Sequence, residues 1–583
     1  MVKVSDVVAD FLVEQGIEVV FGIIGSANSY IYDSIHNRSD IKLVATHHEQ
    51  AAVMAMGAYY RATGKLSAAL VTAGGGSSNA FTGILSNWAD SIPGIIIAGQ
   101  EQSYYIQEYS DMRMYGIQGY DSVTTFKNHT KLSTRITKDN VIDTLAQAAV
   151  ITKDGRPGPV YLEIPFDVQS QSIILEKFPT YQHLEEDLIE EVSYIISKLN
   201  KSKRPLVLGG HGVKLSGGED LFKNFVDTHR LPTVLSWSAV DLLPTDNPNN
   251  YGRPGVQGQR AANFIVQNSD LIIVLGSRLS LLQTGYNREN FAPNAEIIHV
   301  DIDPTETGKF KGVSYNVNVY TLLKILNKHF TSIRLDVQDW IQYCDDVKEK
   351  YPLLMPEHLV DPSSSYTFID KISKALPDHY TIVTDMGTAL LSGFYGFNIK
   401  PNQKMFTSLG LGEMGYGLAA AVGAGFGDHP VLCLNCDGGM MMNLQELQTI
   451  KTHNLPVKVV IFNNDGYLMI KHTQNMLFKG THTCVDKETG VTLPDYKKVA
   501  YAFGFDYFTE DSLEAFLSHE GQAILEVFMD PNQEFIPKVR GVKQEDGSIK
   551  PGLLEEMSPL LPLQTIQDTM ISGVNSISKT ILR

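Results

Sequence analysis

The chain has 583 residues, 43% hydrophobic and 19% charged, with a formal net charge of -17 at pH 7. This length predicts about three domains of roughly 150–200 residues each, because one hydrophobic core does not grow that large. The acidic balance argues against a nucleic acid or an anionic membrane as partner, since both require a basic face. The first residues, MVKVSDVVADFLVEQG, carry charges at helical spacing, so we expect neither a signal peptide nor a membrane span. Four cysteines do not make a disulfide scaffold, and we expect a cytoplasmic protein.

The first block, residues 1–170, alternates strand-like and helix-like patterns and predicts a parallel α/β domain. Apolar runs such as VVFGIIG and SAALVTAGGG end in glycine, and EQAAVMAMGAYYRATG predicts a helix. Glu49 begins that helix directly after the run KLVATHH. A lone glutamate in this position more often only interacts with the helix dipole. Residues 171–190 are polar and irregular and predict a linker.

Two further blocks repeat the pattern. Residues 190–340 contain PLVLGGHG, DLIIVLGSRL and AEIIHVDIDP, and residues 360–540 contain TIVTDMG, PVLCLNCDGG and VKVVIFNND. We therefore predict an α/β fold of three doubly wound parallel-sheet domains. Residues 541–583 form a turn-rich C-terminal tail that we expect to wrap over a neighbouring domain. The similar order of strands and helices in the outer blocks is compatible with a distant duplication, which the sequence does not prove.

Polar side chains follow two apolar runs of the third block. Asp437 follows PVLCLNC, and Asn464 follows VKVVIFN. In a parallel sheet the carboxyl ends of strands face a common crevice, and the oxygens of these side chains suit Mg²⁺. The glycines after Asp437 let a phosphate approach the backbone, a helix is predicted over 441–453, and Gly466 adds a backbone carbonyl. Either turn alone would be an ordinary connection, but the pair predicts a metal-bridged diphosphate site.

The runs CDGG and NNDG resemble the diphosphate and metal motif of thiamine diphosphate enzymes, which begins Gly-Asp-Gly and ends Asn-Asn. Cys436 stands where the family has the first glycine, and we expect it to be a tolerated strand residue. The resemblance covers about residues 1–540 and implies a pyrimidine-binding domain (1–170), a central domain (190–340) and a diphosphate-binding domain (360–540). The cofactor-binding residues that it implies are Gly25, Gly387, Met414, Asp437, Gly438, Gly439, Asn464, Gly466 and Tyr467, with Asp437, Asn464 and Gly466 on the metal.

The same resemblance gives Glu49 a specific role. The family places a glutamate in a His-Glu-Gln sequence, and this chain has THHEQ. Such a shielded carboxyl shares a proton with the aminopyrimidine ring and favours the imino tautomer, which removes the thiazolium proton. The segment LGLGEMGYG is similar to that of acetolactate synthases, where the residue matching Met414 props the cofactor into a V shape. Simple core packing would also explain Met414, and the two roles are compatible.

The donor side is less defined. The stretch GIQGYDSV corresponds to a Phe-Gln-Glu stretch of acetolactate synthases, with Ile117 in place of the aromatic residue. Gln118 could then hydrogen-bond a 2-oxoacid carboxylate or a nascent alkoxide, or it could be an ordinary loop residue. His47 replaces a family arginine, and GTAL (387–390) replaces a Gly-Gln-His-Gln run. Arg278 is retained from a flavin-contacting stretch whose aspartates are missing, so FAD stays open as a second cofactor.

The resemblance implies a thiamine diphosphate- and Mg²⁺-dependent carboligase that decarboxylates a 2-oxoacid, with pyruvate the expected donor, and transfers two carbons to a carbonyl acceptor. Three alternatives stay open. GIIGSA is similar to sulfoacetaldehyde acetyltransferases, and FIPKVRGVKQEDGSIKPGLLEEMSPLLP is similar to carboligases that act on nucleotide-linked keto sugars. Simple 2-oxoacid decarboxylation is the third.

Partners and rival classes follow from the same motifs. The resemblance implies that Glu49 and the metal site meet across a subunit boundary, so we expect a homodimer or a homotetramer. A dinucleotide-dependent dehydrogenase would need a downstream acidic strand end after LGLGEMG, which is not at the proper spacing. A catalytically silent relative would have no chemical need for Glu49, Asp437 and Asn464 together.

Overall fold

The computed structural model describes residues 1–108, 110–174, 177–179 and 187–583. The chain divides into two compact units. The first contains the described residues between 1 and 183 together with 379–390 and 404–531. The second contains the described residues between 184 and 378 together with 391–403 and 532–583. Part of the linker predicted over 171–190 lies outside the described residues.

The N-terminal domain alternates strands and helices. Its strands are β1 (Val2–Lys3), β2 (Val19–Gly22), β3 (Lys42–Ala45), β4 (Ala68–Val71), β5 (Gly94–Gln100), β6 (Leu132–Arg135), β7 (Pro159–Pro165) and β8 (Ser172–Ile173). Its helices are α1 (Val4–Glu14), α2 (Ser29–His36), α3 (Glu49–Thr63), α4 (Gly75–Asn79), α5 (Phe81–Ala89), α6 (Ser103–Glu108), α7 (Ser122–Phe126), α8 (Val141–Ile151) and α9 (Phe166–Gln169).

Six of these strands form one parallel sheet in the order β3-β2-β4-β5-β7-β6. The central strands β4, β5 and β7 are fully buried, as expected for a parallel sheet covered on both faces. The short β8 pairs antiparallel with β1. The predicted linker therefore begins with strand residues that close the domain.

The central domain has a five-stranded parallel sheet in the order β10-β9-β11-β12-β13. Its strands are β9 (Pro205–Gly209), β10 (Thr233–Leu235), β11 (Leu271–Leu275), β12 (Glu296–Val300) and β13 (Gly312–Tyr315). Its helices are α10 (Ile189–Leu199), α11 (His211–Leu215), α12 (Glu219–His229), α13 (Arg260–Asn268), α14 (Leu281–Thr284), α15 (Val319–Lys328), α16 (Gln338–Lys350) and α17 (Ser365–Ala375).

The third domain has a six-stranded parallel sheet in the order β15-β14-β16-β17-β19-β18. Its strands are β14 (Thr381–Thr384), β15 (Lys404–Phe406), β16 (Val431–Cys436), β17 (Val457–Asn463), β18 (Asp506–Thr509) and β19 (Ala523–Phe528). Its helices are α18 (Thr388–Gly396), α19 (Tyr416–Ala424), α20 (Asp437–Met440), α21 (Glu446–Thr452), α22 (Leu468–Phe478), α23 (Tyr496–Phe503) and α24 (Leu513–Ser518). The fold class predicted from the sequence is confirmed.

One predicted helix differs in the structure. The sequence pattern predicts a helix over 441–453, whereas the chain forms α20 and α21 separated by a turn. Two i→i−3 bonds, from Met442 N to the Gly439 carbonyl and from Glu446 N to the Asn443 carbonyl, tighten this turn. The side chain of Asn443 donates to the Gly415 carbonyl at 2.8 Å, which ties the turn to the loop before α19.

Two helices rich in small residues pack together in one core cluster of the first unit. Every residue of α19 is buried, and α19 packs with α3 in one apolar cluster that also contains residues of both six-stranded sheets. A Cβ at Gly423 would lie 2.0 Å from the carbonyl oxygen of Ala55. Glycine is therefore required for the two helices to approach this closely.

The tail contains β20 (Lys538–Val539), β21 (Val542–Lys543), β22 (Ile549–Lys550), β23 (Met557–Ser558) and α25 (Leu563–Thr569). It packs on α13 of the central domain, where all nine residues of the helix are buried. The side chain of Asn263 donates to the Leu554 carbonyl at 3.0 Å, and that of Gln267 donates to Glu555 at 2.7 Å. None of the helices in the described part of the chain combines the length and apolarity that crossing a bilayer requires.

Candidate functional site

Asp437 lies at the carboxyl end of β16 and is 1% exposed. Its Oδ2 atom accepts backbone N–H bonds from Asn464 at 3.0 Å and Gly466 at 3.1 Å, and its Oδ1 atom accepts one from Gly438 at 2.7 Å. Burial raises the pKa of the carboxyl to about 6, opposed by these backbone donors. The carboxylate thus binds the turn after β16 to the turn after β17.

The hydrogen bonds of Asn464 show whether these residues fit a metal ion. Its Nδ2 atom donates to Thr388 Oγ1 at 3.1 Å, whereas its Oδ1 atom is buried and has no hydrogen-bond partner. An unsatisfied buried carbonyl oxygen is costly, so its presence beside a carboxylate points to a ligand that would satisfy it. Hard oxygen donors from Asp437, Asn464 and the Gly466 backbone fit Mg²⁺. In the described residues, no group of three or more His, Cys, Asp or Glu side chains could hold a metal.

Two glycines shape the backbone around Asp437. Gly466 has φ 134°, and a Cβ there would lie 2.0 Å from the Val485 carbonyl oxygen, so glycine is required. A Cβ at Gly438 would lie 2.3 Å from the ring of Tyr467 and 3.5 Å from the Met414 side chain. Met414, Gly438 and Tyr467 therefore lie together beside the predicted metal ligands.

Asp385 is a buried carboxylate at the end of β14 that the sequence analysis missed. It accepts backbone N–H bonds from Met386 at 2.6 Å and from Gly415 at 2.9 Å, and it anchors the loop that carries Met414. Burial raises its pKa to about 6. A Cβ at Gly439 would lie 3.1 Å from its Oδ2 atom. The sequence contained the signal for this residue, because Asp385 follows the run TIVT just as Asp437 follows the run PVLCLNC.

Cys436, the departure from the family motif, contacts the segment that begins α18. Its thiol donates to the Met386 carbonyl at 3.2 Å and accepts the Ala389 N–H at 3.3 Å. Gly387 has φ 86°, and a Cβ there would lie 3.4 Å from the Cys436 sulfur. The cysteine therefore packs against Gly387 and leaves the Asp437 hydrogen bonds in place.

Glu49 is the first residue of α3 and is 8% exposed. Its Oε2 atom accepts a hydrogen bond from Asn79 Nδ2 at 3.0 Å, and a Cβ at Gly76 would lie 3.2 Å from its Oε1 atom. Tyr32 faces the same carboxylate: burial, and then the Glu49 charge, raise the pKa of its phenol. Asn79 was missed because GGGSSNAF resembles any glycine-rich turn. Gly25, which follows β2, packs against Thr72, the residue after β4.

Gln118 lies against the same glycine-rich turn. Its Nε2 atom donates to the Ala73 carbonyl at 3.1 Å, and a Cβ at Gly74 would lie 2.7 Å from its carbonyl oxygen. Glu101 accepts the backbone N–H bonds of Ile117 at 3.1 Å and Gln118 at 2.9 Å. The turn after β4 thus contacts both predicted catalytic residues of the N-terminal domain.

The predicted site residues form two clusters. One surrounds Asp437 in the third domain, and the other surrounds Glu49 in the N-terminal domain. Across the ranges that the structure describes, no hydrogen bond joins Glu49 or Gln118 to Asp437 or Asn464. In the central domain Arg278 is exposed, and its carbonyl accepts Lys309 Nζ at 3.0 Å.

Comparison with protein families identifies all three domains. Residues 2–124 match "Thiamine pyrophosphate enzyme, N-terminal TPP binding domain", 192–322 match the corresponding central domain, and 385–527 match the C-terminal TPP binding domain. TPP is thiamine diphosphate. The chain belongs to the thiamine diphosphate-dependent enzymes, as the motifs predicted.

Within that family the chain is acetolactate synthase-like. It is 31% identical to the acetolactate synthase isozyme 1 large subunit of Escherichia coli (strain K12), over 92% of this chain and 95% of that protein. It is 30% identical to the isozyme 2 large subunit of the same organism, over 93% and 98%. It is 28% identical to the acetolactate synthase large subunit of Lactococcus lactis subsp. lactis (strain IL1403), over 92% and 94%. The predicted family and enzyme class are confirmed.

Proposed function

We propose that this protein is a Mg²⁺- and thiamine diphosphate-dependent carboligase that decarboxylates pyruvate and transfers the two-carbon unit to a carbonyl acceptor. The observation that carries the proposal is the buried, unpaired Oδ1 atom of Asn464 beside the buried carboxylate of Asp437. Acetolactate synthase relatives that cover nearly the whole chain support the carboligase class.

Asp437, Asn464 and the backbone carbonyl of Gly466 would hold Mg²⁺, which would supply positive charge to offset the negative charge of the diphosphate. Gly438 and Gly439 would let the diphosphate approach the backbone, because neither residue has a side chain. Met414 and Tyr467, which line the Gly438 turn, would contact the cofactor from the same side. When bound, thiamine diphosphate supplies a carbon nucleophile and an electron sink.

Glu49 would hold a proton against the aminopyrimidine ring. Its carboxyl is shielded from water and is oriented by Asn79, which leaves the Oε1 atom for a cofactor nitrogen. Gln118 would orient the donor carboxylate, because its position against the Ala73–Gly74 turn brings an amide into the Glu49 region. Glu49 would thus serve proton transfer, and Gln118 would serve donor orientation.

The two clusters would complete one active site across a subunit boundary, so we propose a homodimer as the minimal unit. Apolar side chains beside the Asp437 cluster support this: Met441 is 44% exposed and Met442 is 45% exposed in the single chain. Measurement of the molar mass in solution distinguishes a monomer, a dimer and a tetramer. A functional monomer would contradict the shared site.

The deciding experiment supplies pyruvate, thiamine diphosphate and Mg²⁺ to purified wild-type protein and to Glu49→Gln, and identifies products by NMR. We expect acetolactate from wild type alone. Acetaldehyde alone would indicate simple decarboxylation, and acetyl phosphate from sulfoacetaldehyde with phosphate would indicate the acetyltransferase alternative. Consumption of pyruvate only with a nucleotide-linked keto sugar would identify that acceptor. Absence of thiamine diphosphate binding would refute the proposal.

FAD requires a separate test, because only Arg278 is retained from the flavin-contacting stretch. Flavin absorbance in the protein purified from cells, and its loss in Arg278→Ala, would support FAD as a second cofactor. A colourless, fully active protein would exclude a requirement for flavin.

A further inference from the structure

Glu446 is a fully buried carboxylate outside the two candidate clusters. It begins α21, and its side chain reaches the N-terminal domain, where Oε1 accepts the backbone N–H of His47 at 3.0 Å. Its Oε2 atom accepts the hydroxyl of Thr449 at 2.7 Å. Burial raises the pKa of this carboxyl, opposed by Thr449 and by the backbone donors of His47 and His48.

The residues that Glu446 holds are those that lead into α3. His47 and His48 form the turn between β3 and Glu49, and the His48 side chain caps α3 by accepting the Gln50 N–H at 3.1 Å. A turn fixed by a carboxylate on one side and by a helix cap on the other leaves little freedom for the residue that follows. That residue is Glu49.

We propose that Glu446 is a positioning residue for Glu49, acting through the backbone of the His47–His48 turn. The inference rests on the proposed function of Glu49. Glu446 also connects the two clusters along the chain. Helix α20 begins at Asp437, and the segment after it leads to Glu446, which contacts the turn before Glu49. In the proposed dimer, Glu49 serves the cofactor held by the other subunit, so this segment would connect the metal loop of one site with the proton-transfer residue of the other.

The competing explanation is that Glu446 only joins two domains. The chain offers a matched comparison in Asp90, which follows α5 in the N-terminal domain. Its carboxylate accepts the backbone N–H bonds of Leu409 at 3.1 Å and Gly410 at 2.7 Å and pairs with Arg61 at 3.0 Å. Asp90 therefore joins the same two domains through the same kind of bond, but at the loop before Met414. Loss of Asp90 should loosen the domain contact, and because its partner Arg61 lies at the opposite end of α3 from Glu49, the Glu49 turn should keep its own contacts.

The first test is hydrogen–deuterium exchange of the apoprotein, which requires neither cofactor nor turnover. In Glu446→Ala, the slowest amides of peptides covering 44–52 should exchange roughly 10- to 100-fold faster, the factor expected for one lost charge-assisted hydrogen bond. Peptides covering the β16 strand should be unchanged. Asp90→Asn should accelerate peptides around 407–412 and leave 44–52 unchanged. Equal acceleration of both regions in both variants would show that Glu446 only joins domains.

The second test measures the loaded enzyme. Glu446→Ala should lower kcat by about 10- to 100-fold, as expected for a misplaced proton-transfer group, while the Kd for thiamine diphosphate with Mg²⁺ changes by less than about threefold. The exchange of the cofactor's thiazolium proton with D2O should slow by the same factor as kcat. Glu446→Gln keeps an oxygen acceptor for the His47 N–H and should restore most of the rate.

Two further variants protect the test against misfolding. Thr449→Val removes the hydroxyl that donates to Glu446 and that also lies 3.4 Å from His47 Nδ1, and it should give a smaller loss of the same kind. His47→Ala removes the imidazole and its 3.4 Å contact with the Thr449 hydroxyl but keeps the backbone N–H that Glu446 accepts, so exchange over 44–52 should stay close to wild type. Unchanged exchange and unchanged kcat in Glu446→Ala would overturn the inference. Faster exchange over 44–52 in a protein that binds no thiamine diphosphate would uphold the contact and refute the proposed function instead.

Discussion

The two six-stranded sheets of the protein have the same strand order but carry different chemistry. When only the six strands of each sheet are numbered in chain order, both sheets run 2-1-3-4-6-5 from edge to edge. After the third strand, the N-terminal domain has the glycines of α4, whereas the third domain has Asp437 at the start of α20. After the second strand, one domain has Glu49 and the other has Glu413. The two domains therefore share one strand order, and they differ in the side chains that follow corresponding strands.

The two glutamates show how environment separates equivalent positions. The Oε2 atom of Glu49 accepts a hydrogen bond from the Asn79 amide, and its Oε1 atom lies beside Gly76. Glu413 accepts the Ser408 hydroxyl at 2.7 Å, and its Oε1 atom is buried without a partner. Burial raises the pKa of the Glu413 carboxyl to about 7. Under the proposed function the Glu49 carboxyl exchanges a proton with the cofactor, whereas the Glu413 carboxyl has no assigned role and contacts Ser408.

The largest expected effect is the difference between Glu49→Gln and Glu413→Gln. Glu49→Gln should lower kcat by roughly 10²–10⁴-fold, the usual contribution of a general acid–base group, while thiamine diphosphate still binds. Glu413→Gln should retain activity within about threefold, because the amide keeps the Ser408 contact. Steady-state kinetics of both variants check this. Comparable losses in both would mean that the two positions are functionally equivalent, against our comparison.

A second contrast concerns the ends of the third strands. Asp437→Asn removes the charge that holds the Asn464 and Gly466 amides and that would bind the proposed metal, so affinity for thiamine diphosphate with Mg²⁺ should fall by about 10²–10³-fold. Isothermal titration of cofactor with and without Mg²⁺ measures this. Affinity that does not depend on Mg²⁺ in wild-type protein would argue against a metal at Asp437.

A matched pair of glycines sharpens the same contrast. A Cβ at Gly438 meets the Tyr467 ring at 2.3 Å, whereas a Cβ at Gly75 in α4 meets nothing within 4 Å. Gly438→Ala should therefore destabilise the protein by about 1–3 kcal/mol and weaken cofactor binding, while Gly75→Ala should leave stability within about 0.5 kcal/mol. Denaturant unfolding of the two variants tests the pair. Equal destabilisation would show that the strand-end turns are equally crowded.

A site residue could be predicted from the sequence where the pattern immediately around it indicates its position in the fold. Asp437 and Asn464 were predictable, because each ends an apolar run, and strand ends of a parallel sheet converge. Asp385 carried the same signal and was overlooked. Asn79 gave little signal, because a polar residue in a glycine-rich turn has many explanations. The assignment of these side chains to the cofactor and metal remains a prediction.

Contacts between domains were beyond the sequence. Glu446 and His47 are 399 positions apart, and the pattern around Glu446 describes only its own helix. A helical period indicates which face is buried, but it does not indicate which turn of another domain lies against that face. The predicted helix over 441–453 failed for the same reason, since Asn443 bonds the Gly415 loop instead of continuing a helix.

The smallest expected effect is a pH-dependent gain in stability in Glu413→Gln. The folded protein holds the Glu413 proton up to about pH 7, whereas the unfolded chain loses it near the ordinary value of 4.5. Between these values the folded state binds more protons, so this carboxyl lowers stability as the pH rises. The variant should therefore melt above wild type near pH 8 and level with it near pH 5. A melting-temperature shift of equal size at both pH values would show that the effect comes from packing and not from the charge of Glu413.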